Sequence, residues 1–180
     1  MLFLAILAAF ALRQTISEQD AQLISLSRAA TRSEVLHLPL PKLTFHSAAR
    51  PVFVTIERKG KILGCRGDLT TRSGSLEEEV ILAAKAAAAN DPRYRPMRPA
   101  DLDEFLVTVT VVSRLEKISS VDGLEPSNGL VLESGSRKGI VLPWEGKNPD
   151  TRLLWAYRKA GIPERSAAVL YRLIATRCRG

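Results

Sequence analysis

No Cys-x-x-Cys pair, no two histidines at helical spacing and no acidic ligand cluster occurs in this chain, which removes zinc fingers and helix-borne metal sites. The P-loop and the dinucleotide glycine fingerprint are missing as well. No metal and no cofactor is therefore expected. Only Cys65 and Cys178 are available as thiols, and only His37 and His46 as imidazoles. The sequence gives no reason for the two cysteines to come within bridging distance, so free thiols are expected. Both histidines fall near a proline-broken connector and belong to no motif, which argues against a Cys-His hydrolase. Aromatic residues make up 6% of the chain, and no basic run is interleaved with them. Specific nucleic-acid recognition is not expected.

What the chain does have is enough apolar content for a core: 46% of 180 residues, the length of one domain. The formal charge of +7 is spread among acidic residues rather than gathered in runs. Met1 to Leu12 is apolar throughout, too short to cross a bilayer but long enough for the apolar part of a signal peptide. Ala9-Phe10-Ala11 fits a cleavage site, yet no Lys or Arg precedes the run. A signal peptide and an ordinary apolar leader both remain open. Residues 1–16 are read as this leader and 17–180 as the domain; if residues 1–11 act as a signal, the protein is exported.

Ser17-Glu18-Gln19-Asp20 supplies an N-cap with early acids, and Leu23, Leu26 and Ala30 follow at helical spacing. A helix over about 18–35 is expected, broken by Leu38-Pro39-Leu40-Pro41. Val52 to Glu57 is β-branched and aromatic, and Lys59-Gly60 turns it into Lys61-Ile62-Leu63. Ser75 to Glu78 reads as a capping box for an alanine-rich helix ended by Asp91-Pro92. Phe105 to Ser113 reads as a central strand, with Thr108 and Thr110 on one face and Val107, Val109 and Val111 on the other. Residues 129–133 and 139–143 suit a hairpin with a five-residue loop, Asp150 suits the cap of a last helix stopped by Gly161, and residues 169–176 a closing strand. The fold class is α+β: a mostly antiparallel sheet flanked by helices in one compact domain, with room for a small subdomain.

Leu63-Gly64-Cys65-Arg66-Gly67 is the most chemically suggestive stretch, because glycine lets backbone or ligand approach closely. A β-turn is expected to hold the Cys65 sulfur at a cleft rim, beside the Asp91-Pro92-Arg93-Tyr94-Arg95-Pro96 loop. A cation such as Arg66, Lys61 or Arg93 would favour the thiolate, whereas burial would disfavour it.

With Val52-Phe53-Val54-Thr55, these residues resemble the Phe-Val-Thr strand and the Leu-Arg-Gly-Cys-Ile-Gly segment of the AMMECR domain family. Asn90 to Pro96 is similar to its Asp-Pro-Arg-Phe loop, and Leu106 to Val111 to the strand that follows. Gly139 to Pro143 and Lys159-Ala160-Gly161-Ile162 resemble its Gly-Leu-Phe-Leu-Pro and Lys-Ala-Gly-Leu segments. The likeness covers about residues 18–175. Departures are Leu63 in place of arginine, Arg66 and Asp68 in place of isoleucine and threonine, Trp144 in place of glutamine or glutamate, and a shorter stretch from Leu142 to Asp150. The resemblance implies a cytoplasmic protein of the AmmeMemoRadiSam system, with a Memo-like and a radical S-adenosylmethionine protein as partners. No biochemical activity comes with it.

Two functional readings follow. In the first, Gly64, Arg66, Gly67, Asp68, Asp91, Arg93 and Tyr94 form the surface of a binding or accessory module for a partner or small ligand. In the second, Cys65 is a nucleophile or carrier in a modification reaction, oriented by Gly64 and Gly67 and activated by Arg66.

Overall fold

The computed structural model describes residues 17–43 and 45–180. The apolar leader and its A-x-A site lie outside the described residues. Helix α1 spans Glu18–Leu36, with Ser17 Oγ accepting the Asp20 N–H at its start and His37 in the left-handed region at its end. Strands β1 (Val52–Arg58) and β2 (Lys61–Gly67) form a hairpin across Lys59 and Gly60, both at positive φ. Helix α2 (Leu76–Ala89) follows, then a single 3-10 turn at Pro99–Leu102. The remaining elements are β3 (Phe105–Ile118), β4 (Gly129–Ser134), β5 (Arg137–Val141), α3 (Pro149–Ala160) and β6 (Val169–Arg179).

All six strands join one sheet in the order β2-β1-β3-β6-β4-β5, and every pairing is antiparallel. Strand β3 lies inside this sheet between β1 and β6, as its apolar run requires. The α+β class holds. Val107, Val109 and Val111 of β3 face α1 and α2 in one apolar cluster with Val54, Ile56 and the alanines of α2. A second cluster, from Leu130, Leu132, Val141 and Ala156, lies beneath α3.

Helices α2 and α3 each sit on a strand through a missing side chain. A Cβ on Gly64 would fall 1.9 Å from the Ala87 carbonyl oxygen of α2, and one on Gly139 would fall 1.8 Å from the Ala156 oxygen of α3. Short side chains on α2 complete the close approach: Ala83, Ala84, Ala87 and Ala88 are all buried.

Four local expectations change, the last in part. Cys65 sits within β2 rather than in a turn, paired with Thr55, because β2 continues to Gly67. The β4–β5 connection has two residues, not five: Ser134 pairs with Arg137, and Gly135 takes φ +59 at the first turn position, as a type II′ turn needs. Asn148, not Asp150, caps α3, accepting the Thr151 N–H through Oδ1 at 2.9 Å, with Pro149 at the first helical position. Of the capping box at α2, the serine half forms, Ser75 Oγ accepting the Glu78 N–H; the Glu78 carboxylate reaches Gly74 N–H, one residue before the cap.

Candidate functional site

Period-two alternation places two rungs of side chains on the sheet face turned away from α1 and α2. One rung runs Cys65, Thr55, Thr108, Arg179 across β2, β1, β3 and β6; the next runs Gly67, Phe53, Thr110, Arg177. The β2 alternation is set by a bulge. Ile56 pairs with Gly64 but Glu57 with Ile62, so Leu63 is an extra residue. That puts Gly64 against α2 and Cys65 on the opposite face. Residues of β5, its following loop and α3 stand across from these rungs, and together they enclose an open cleft of about 810 Å³. This volume lies in the range of small-molecule sites.

Strand β2 is a sheet edge, so its outward backbone groups need other partners. At Cys65 a pair of side chains supplies them. Asp91 Oδ2 accepts the Cys65 N–H at 2.8 Å, while Arg93 Nη2 donates to the Cys65 carbonyl at 3.0 Å. The two side chains also bind each other: Arg93 Nε donates to Asp91 Oδ1 at 3.0 Å and Nη2 to Oδ2 at 2.8 Å. The Asp91 side chain is fully enclosed, and these donors, the Arg93 guanidinium foremost, outweigh its burial and hold its carboxyl at about 2. The pairing likewise raises the Arg93 pKa. Its guanidinium lies 5.4 Å from the Tyr94 ring centre.

Burial pushes the Cys65 thiol upward from its ordinary value. Thr55 Oγ1 donates to its sulfur at 3.1 Å, which opposes the rise without cancelling it. Among nearby charges Glu145 raises the thiol pKa further, and Arg93 and Lys159, not Arg66, lower it. No histidine lines the cleft among the described residues. Cys178 is also a free thiol, buried and pushed to about 11 by desolvation.

Of the residues singled out from sequence, Cys65, Arg66, Gly67, Arg93 and Tyr94 line this one cleft. Gly64 lies on the other face as a packing residue, and Asp91 is a buried anchor behind the wall. Asp68 caps a turn, accepting from Thr70 N–H and Oγ1. Sequence reasoning missed Thr55, Trp144, Glu145, Lys159 and Arg177 as cleft residues. The threonines in β1 and β3 were a readable signal, since polar residues recurring every second position mark one face of a strand. Trp144 carried another: it is 58% exposed and adopts φ 64, an unusual conformation for a bulky residue. The β6 cations gave none, because only sheet pairing brings them beside β3.

Comparison with known proteins gives one consistent result. The family model described as AMMECR1 matches residues 7–176. A protein of Methanothermobacter thermautotrophicus is 31% identical over 163 residues, covering 81% of this chain and 84% of that protein. A Thermotoga maritima protein is 36% identical over 116 residues, covering 62% of this chain and 67% of its own length. The crystal structure of an uncharacterised Pyrococcus horikoshii protein superposes with a TM-score of 0.75 at 26% identity, covering 91% of this chain and 93% of that one.

Proposed function

The chain belongs to the AMMECR1 family, and from that premise we propose that it is a binding or accessory module whose cleft receives a partner's segment or a small ligand. Residues 17–180 are read as the working unit. The carrying observation is the cleft itself: about 810 Å³, open to solvent, with an exposed tryptophan at its lip and a wall fixed by the Asp91–Arg93 clamp. Rigid backing of this kind limits the entropy lost when a ligand is ordered against it. The partners proposed are a Memo-like protein and a radical S-adenosylmethionine protein, on the strength of the motif likeness. Capture of both by the tagged chain tests this, with Trp144→Ala as the lip variant. Loss of capture by at least tenfold in that variant is expected; equal capture would overturn the assignment of the cleft.

A second reading keeps Cys65 as a nucleophile, favoured by its place on the cleft wall and by the Thr55 hydroxyl directed at its sulfur. Against it stand the raised thiol pKa and a cleft lined by no histidine among the described residues. Iodoacetamide labelling separates the two. A Cys65 rate still rising beyond pH 9 supports the binding module; a plateau below about pH 8 restores the nucleophile.

A further inference from the structure

We propose that the cleft selects a small anionic molecule, one carrying phosphate or carboxylate groups, which it holds between the Arg177 side of β6 and the Arg158 side chain of α3 opposite. The proposal rests on the reading of the cleft as a binding site and adds the chemistry of what is bound. Charge carries it first. Six cationic residues line the cleft, five of them with side chains on its side, against two carboxylates, whereas the whole chain has 26 basic and 19 acidic residues. Cations are thus enriched there well beyond the general surplus.

Both carboxylates are already engaged. Glu145 pairs with Lys159 at 2.5 Å and accepts the Leu142 N–H at 2.9 Å, and Glu57 pairs with Arg179. Arg93 and Lys138 have carboxylate partners of their own, Asp91 and Glu133. Among the described residues, Arg158 and Arg177 have none, and Arg66, between Cys65 and Gly67, alternates to the α2 side of β2. Two free guanidiniums around one cleft leave a positive potential that a structural role does not use. Planar guanidiniums match phosphate and carboxylate oxygens two at a time.

An independent observation points the same way. Thr108 lines the cleft and is 4% exposed, yet its hydroxyl has no hydrogen-bond partner in the protein. A buried hydroxyl without a partner is costly, and an acceptor oxygen entering the cleft would relieve that cost. Thr108 is one rung from Thr110, which pairs with Arg177, so donor and cation share one stretch of wall. Apolar surface from Phe53, Ile140 and Leu142 leaves room for an uncharged body on the same molecule.

Calorimetric titration of the full chain with pyrophosphate and with citrate, at constant ionic strength, tests the proposal, with spermidine and glucose as cationic and neutral probes. Saturable binding of at least one anion is expected, and whichever binds identifies phosphate or carboxylate as the source. Arg177→Gln should weaken it at least tenfold and Thr108→Val several-fold, while Lys85→Gln, the same charge change on the distant α2 surface, should leave it intact. Equal weakening by Lys85→Gln would reveal mere ionic attraction and overturn the proposal. So would the absence of anion binding, or saturable binding of spermidine or glucose alone. In these last cases the cleft could still engage partners, because capture through Trp144 is measured separately.

Discussion

Asp91→Asn isolates the contribution of one carboxylate to the cleft wall. The native side chain accepts two backbone N–H groups, from Cys65 at 2.8 Å and Arg93 at 3.1 Å, and pairs with the Arg93 guanidinium. Arg93 is half exposed, so losing its partner returns it to water and costs little, about 0.2–1 kcal/mol. The Cys65 N–H is the larger loss, because a charge-assisted bond at a sheet edge is worth about 1.5–3 kcal/mol. Together these give roughly 2–4 kcal/mol at neutral pH. The same bonds expressed through the carboxyl, lowered from 3.8 to about 2 on folding, correspond to a contribution on the order of 2 kcal/mol. Because the folded value is the lower one, this stability is present above the unfolded value near 3.8 and is lost as pH falls through about 2. Urea unfolding followed by far-ultraviolet circular dichroism, on both proteins at pH 7, 4 and 2.5, measures the gap directly. The reasoning is refuted if the variant loses under about 1 kcal/mol at pH 7, or if the gap fails to narrow toward pH 2.5.

Two further outcomes follow from packing. Gly139→Ala and Gly64→Ala each drive a methyl group into a helix carbonyl and should cost about 1–3 kcal/mol or more by urea unfolding, whereas Gly135→Ala, which meets nothing within 4 Å, should cost only about 1 kcal/mol of backbone strain. Arg152 is fully buried and donates to the Glu125 and Asn128 carbonyls, so Arg152→Met should lose about 2–4 kcal/mol and expose the 121–128 segment to proteolysis; a melting temperature equal to wild type would contradict this.

Local signals in the sequence were legible where a residue acts on its immediate neighbours. Ser17 and Ser75 cap the helices assigned to them, and Gly161 stops α3 at φ 65. Asp150 failed as a cap for an equally local reason: Asn148 offers the same chemistry two residues earlier, and Pro149 fixes the first helical position after it. The β4–β5 loop was overestimated because strand ends are decided by pairing, and Ser134 and Arg137 pair despite poor strand propensity.

The candidate site divides along the same line. Composition, periodicity and the glycine-flanked cysteine determined an α+β domain, the family likeness and the segments from which a site would be built. Only the folded chain decided that Asp91 stands behind the wall, that Arg177 faces the cleft, and that a bulge at Leu63 turns Gly64 toward α2 and Cys65 away from it. The physical reason is reach. Caps, turns and alternation involve neighbours a few residues apart, but the cleft joins β2 to β6 and α3 across more than half the chain, and those distances are set by sheet register and helix packing rather than by any local preference.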